Sequence, residues 1–113
     1  MATINVYEQY FKAEGTFNEV ERKAVNVMLV SDSEAGQIRY ELMVSFFPHR
    51  SEDDFAISYD ACFSKVLHEA AGRRSRKREE ALLATLRDEA NKLASENGAS
   101  IFWDYPLIEA RRG

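Results

Sequence analysis

The stretch Gln37–Phe47, QIRYELMVSFF, has an apolar residue at every second position from Ile38 to Phe46. Ile38, Tyr40, Leu42, Val44 and Phe46 fall on one side of an extended chain, with Gln37, Arg39, Glu41, Met43, Ser45 and Phe47 on the other. A helix cannot gather those five residues on one face, because each step of two residues turns by about 200°. The segment is therefore a strand with a buried face, and a strand needs neighbours. Residues 24–30, AVNVMLV, are rich in β-branched side chains and supply one. Between the two, residues 31–36, SDSEAG, hold the Ser, Asp and Gly of a turn, so an antiparallel hairpin is expected. Pro48 ends the second strand because it has no N–H for the ladder, and HRSEDD after it reads as a solvated loop.

The remaining segments are less sharply patterned. In residues 4–12, INVYEQYFK, Ile4, Tyr7 and Phe11 keep helical spacing while Ile4 and Val6 alternate, which leaves helix and strand both open. Phe55, Ile57 and Tyr59 alternate as a third strand. Ser58 can then cap a helix near residues 60–71 that carries Tyr59, Phe63, Val66, Leu67 and Ala70 and ends at Gly72. Beyond Ser75, the stripe Ala81, Leu82, Leu83, Leu86, Ala90, Leu93 and Ala94 predicts a helix over residues 76–96, stopped at Asn97-Gly98. Ile101, Phe102, Trp103 and Tyr105 form an extended aromatic segment closed by Pro106. The expected fold is α+β: an antiparallel sheet of three or four strands with two helices packed on one face, in a single domain over residues 1–113. Phe46 and Phe47 are adjacent and face opposite sides of their strand, so both sheet faces need cover, from the C-terminal segment or from a partner.

Forty-five per cent hydrophobic residues over 113 positions suffice for one core. The first residues lack the basic start and unbroken apolar run of a secretory signal, and no apolar run approaches the length of a membrane span. A lone cysteine, Cys62, allows no internal disulfide. These features predict a cytoplasmic protein that does not enter membranes.

Charge is unevenly spread. Residues 1–60 hold eleven acids against five bases, whereas the rest of the chain holds ten bases against eight acids. The excess of bases centres on GRRSRKREE, residues 72–80, where Arg73, Arg74, Arg76, Lys77 and Arg78 occur within six positions of a chain of net charge -4. With Ser75 as N-cap, three of these bases fill a first helical turn, where the helix dipole disfavours cations by roughly 0.3–1 kcal/mol each. Glu79 and Glu80, at i+3 and i+4 from Arg76, offset part of that cost. Alternatively, the two helical segments fuse through Gly72 and the conflict disappears. The run reads either as a solvated charged face or as a patch for an anion, RNA phosphate or an acidic protein surface.

From Tyr40 to about Leu93 the order of residues resembles a double-stranded-RNA-binding domain. Tyr40-x-Leu42 is followed by Pro48-His49, Phe55-x-Ile57-x-Tyr59, Lys65-Val66 and then Gly72-x-x-Ser75-Arg76-Lys77 before an Ala/Leu-rich helix. The resemblance covers about half of the chain. It implies that His49 reaches a minor groove and that Arg76, Lys77 and Arg78 grip phosphates across the major groove.

Little in the sequence points to catalysis. His49 and His68 are the only histidines, and neither has the dense ligand spacing of a zinc site. Cys62 lies between Ala61 and Phe63 and reads as a small buried hydrophobe. There is no nucleophile elbow, phosphate-binding loop or dinucleotide fingerprint. The expectation is a non-enzymatic binding protein, without metal or cofactor, that docks on and masks a larger protein or ribonucleoprotein complex handling nucleic acid. In size and composition it is similar to phage-encoded inhibitors of bacterial defence, anti-CRISPR proteins among them. In that role Glu52, Asp53 and Asp54 would occupy a basic channel by imitating phosphate charge. The competing expectation is a double-stranded-RNA-binding module using the basic run.

Overall fold

The alternating segment is the middle of a four-strand meander, in a computed structural model that describes residues 2–48 and 61–107. Strands β1 (Ala2–Phe17), β2 (Val20–Glu34), β3 (Gln37–Phe47) and β4 (Cys62–Ala71) pair in succession. Helix α1 (Arg76–Glu96) then crosses one face, and β5 (Ser100–Pro106) returns beside β1, giving the antiparallel order β4-β3-β2-β1-β5. The β1–β2 and β2–β3 hairpins turn on two residues each. Asn18 (φ 51°) and Glu19 (φ 65°) make the first, and Ala35 (φ 55°) and Gly36 (φ 78°) the second. A pair of left-handed residues matches the twist of the flanking strands. Residues 31–34, expected in the turn, instead extend the ladder, with Ser31 opposite Tyr40 and Ser33 opposite Ile38.

Two expectations are corrected. Among the described residues the sheet has five strands rather than three or four, and one helix rather than two covers it. The segment expected as a helix near residues 60–71 is strand β4, paired with β3 along its length. A register shift explains the misreading: Val44 faces Phe63 and Leu42 faces Lys65, but past Leu67 the pairing resumes with Tyr40 opposite His68 and Ile38 opposite Ala70. One extra residue inserted in an alternating strand moves the inward positions out of phase. Phe63, Leu67 and Ala70 thereby acquire the i, i+4, i+7 spacing of a helix. The expected strand through Phe55, Ile57 and Tyr59, like the cap at Ser58, lies outside the described residues.

The core lies between the sheet and α1. Val25, Val27, Leu29, Leu42, Val44 and Phe46 are fully buried there. Leu86, Ala90 and Ala94 of the helix pack against them, with Leu82, Leu83 and Leu93 partly buried. A fully buried side chain of this kind stabilises the fold by roughly 1.5–3 kcal/mol. Phe46 joins Phe17 and Phe63 in a ring cluster, with Phe17 5.3 Å from each. Trp103 of β5 meets the Phe11 ring edge-on at 4.8 Å and donates its indole N–H to Asn91 of the helix at 2.8 Å. The C-terminal strand thus serves as cover for the core.

On the helix-free face, Phe47 is buried and its ring stacks on Tyr10 at 5.9 Å. Asn26, also buried, donates to Glu8 at 3.0 Å, but its Oδ1 has no partner. Among the described residues no helix is long and apolar enough to cross a membrane.

Candidate functional site

The basic run begins where β4 ends. Gly72, at φ 119°, turns the chain out of the sheet, and its N–H bonds the Gly36 carbonyl of the β2–β3 turn at 2.9 Å. This joint fixes the run at one end of the sheet. Ser75 is extended (φ -136°, ψ 121°) and its hydroxyl accepts the Arg78 N–H at 3.2 Å, so it is the N-cap that the sequence predicts.

The five bases then divide. Arg74, although still 41% exposed, forms a bidentate pair with the nearly buried Glu79, Nε to Oε2 at 2.7 Å and Nη2 to Oε1 at 2.9 Å. Tyr40, fully buried on β3, donates its hydroxyl to Glu79 at 2.8 Å and accepts the Ser75 N–H at 3.3 Å. Glu79 is therefore satisfied on both sides although only 8% exposed. The guanidinium of Arg74, and secondarily the Tyr40 hydroxyl, hold its carboxyl below the usual range. Burial raises the Tyr40 phenol above its ordinary value. The network pins the start of α1 to the sheet. The sequence placed Glu79 against Arg76, yet Arg74 is its ion-pair partner.

Arg73, Arg76, Lys77 and Arg78 remain exposed, and no side-chain hydrogen bond or ion pair within the described chain engages them. Four cations surround a capped helix start whose backbone N–H groups already favour anions. A shallow cleft of about 290 Å³ opens there, lined by Ser75, Lys77, Arg78 and Ala81.

Of the other sequence candidates, His49, Glu52, Asp53 and Asp54 lie outside the described residues. His68 sits on β4 with its ring 6.3 Å from that of Tyr40. Cys62, expected to be buried, is instead exposed at the start of the edge strand, where its sulfur accepts the Ser45 hydroxyl at 3.1 Å. Among the described residues no three His, Cys, Asp or Glu side chains converge to hold a metal.

Two polar features escaped the sequence. Arg22 is only 1% exposed and donates to the carbonyls of Phe17 (3.0 Å), Val20 (3.2 Å) and Phe46 (3.5 Å), with its guanidinium 5.9 Å from the Phe17 ring. Nothing in NEVERKAV distinguishes it from a surface arginine. The second is a cleft of about 350 Å³ at the end of the β2–β3 hairpin, lined by Asp32, Glu34, Gln37, Arg39 and Glu69 among others. The register sets it up, placing Asp32 opposite Arg39 and Arg39 opposite Glu69.

No protein-family model matches the sequence, and no curated protein or solved structure shows significant similarity to it.

Proposed function

We propose that this is a non-enzymatic binding protein that docks on a larger nucleic-acid-handling complex, with the corner formed by Arg73, Arg76, Lys77 and Arg78 meeting the anionic component of that complex. The observation that carries this reading is the division of labour within the run. One arginine is committed to an internal carboxylate, while four cations stand exposed and unpaired at a helix start that costs stability to charge positively. Charge also favours a complex over free nucleic acid as the target. Outside residues 72–80 the chain carries ten bases against seventeen acids, so most of its surface repels phosphate.

A second reading, a double-stranded-RNA-binding module, is favoured by one specific feature. Strand β4, paired antiparallel to β3, leads directly into α1, and the residues to which the resemblance assigns phosphate contacts fill that helix's first turn.

Fluorescence anisotropy of a labelled RNA duplex of about 20 base pairs, longer than the roughly 16 that such a domain spans, tests both readings. Saturable binding that weakens with salt and disappears in the Arg76→Glu/Lys77→Glu/Arg78→Glu variant supports the RNA module. No binding at low salt retires that module and leaves the protein-held anion. The same triple variant must then fail to compete with wild type for the complex. If it competes equally, the basic corner is not the contact.

A further inference from the structure

The basic corner and the acidic cleft are neighbours. They flank a single joint, the hydrogen bond between Gly72 N–H and the Gly36 carbonyl. On one side stand Arg73, Arg76, Lys77 and Arg78; on the other the cleft holds Asp32, Glu34 and Glu69, with Arg39 the one cation among its described lining residues. Asp32 is engaged, accepting from Thr3 and lying 3.5 Å from Arg39. Glu34 and Glu69 have no ion-pair partner among the described residues, and none of the four cations reaches them within 4.0 Å. Opposite charges thus lie on opposite faces of the sheet at one end of the molecule, on either side of that joint, without meeting.

Two such patches are self-complementary under a two-fold rotation. If one copy is turned about an axis passing between its basic and acidic patches, each basic corner faces the other copy's acidic cleft, and both contacts form at once. A cleft of about 350 Å³, open to solvent, has room for the end of a lysine or arginine side chain. We infer that this end of the molecule is a self-association surface, in which Arg76, Lys77 and Arg78 of one copy enter the cleft lined by Glu34 and Glu69 of a second copy, and reciprocally. The occupant is a second copy rather than an unrelated basic protein because both halves of the contact are present on the same chain, at the same end of the sheet and unpaired.

The contact is electrostatic and exposed, so it forms a weak, salt-sensitive dimer. It also competes for the cations assigned above to an anionic partner, without depending on that assignment. An anion that takes the basic corner frees the cleft and separates the copies.

Sedimentation equilibrium of the full chain tests the inference at about 0.01 M and about 1 M ionic strength, where charges are felt over roughly 30 Å and 3 Å. The expected result is a dimer at low salt whose dissociation constant rises at least about tenfold at high salt. Two charge-swapped chains provide the decisive arm: Glu34→Lys/Glu69→Lys, and Arg76→Glu/Lys77→Glu/Arg78→Glu. Each alone is expected to be monomeric, since its two patches now carry the same sign. Mixed in equal amounts they are expected to form a heterodimer, because every contact is again between opposite charges. A wild-type chain that stays monomeric at low salt overturns the inference, as does a mixture that fails to associate. Because Glu34→Lys/Glu69→Lys leaves the basic corner intact, it retains any RNA-duplex binding, and failure of self-association is thereby distinguished from failure of the anion-binding reading.

Discussion

The two faces of the sheet solve the same problem in different ways. On the helix side, β2 and β3 present fully buried apolar residues to α1, and the buried carboxylate, Glu79, is bonded on both sides by Arg74 and Tyr40. Ser31 Oγ is an unpartnered side-chain atom on that side. On the helix-free side, apolar burial is patchier: Ala24, Val30 and Phe47 are buried, whereas Met28 and Met43 are only partly covered. There Asn26 spends its amide N–H on Glu8 and leaves its oxygen unmet. The helix face carries the stability, and the other face is the more tolerant of change.

Truncating one residue on each face gives the largest expected contrast. Phe46→Ala removes a fully buried ring from the Phe17 and Phe63 cluster and is expected to cost about 3–5 kcal/mol. Met43→Ala, three residues away on the other face, is expected to cost less than half as much because its side chain is already part-exposed. Urea denaturation of both variants measures the difference, and equal losses would erase the distinction between the faces.

Smaller effects attach to the polar groups. Glu79→Gln keeps the shape but removes the charge that holds Arg74, and is expected to cost about 1–3 kcal/mol at neutral pH. Because the folded carboxyl titrates below its unfolded value, its contribution is present above about pH 4.3 and is lost as pH falls through the lower folded value. The gap between wild type and Glu79→Gln should therefore close in acid, and a gap that is constant with pH would assign the loss to packing alone. Asn26→Leu, which replaces the unmet oxygen with apolar surface, is expected to shift stability by under about 1 kcal/mol, as thermal melting would show. A loss as large as that of Glu79→Gln would mean that the oxygen is satisfied.

What was legible in the sequence follows the regularity of each element. Strand β3 and helix α1 have unbroken periods, and their burial repeats them. Strand β1 is irregular at Asn5/Tyr7, which puts Ile4, opposite Ser31, on the same side as Tyr7 and Phe11 at intervals that suit a helix as well as a strand. β4 hid its identity by the same device. At the candidate site the cap and the exposed cations could be read from composition and spacing, because both are local. The role of Arg74 could not, since Tyr40 and Glu79 are brought together only by the packing of α1 on β3.

The return of β5 to the far edge orders the events of folding in time. The hairpins of the meander join residues close in sequence and can form as the chain emerges, whereas the pairing of Lys12 with Phe102 waits for the whole of α1. Until that closure, the flank of β1 along Phe11–Glu14 offers unpaired backbone to any other strand nearby. Speed of helix docking is thus a safeguard against aggregation during synthesis.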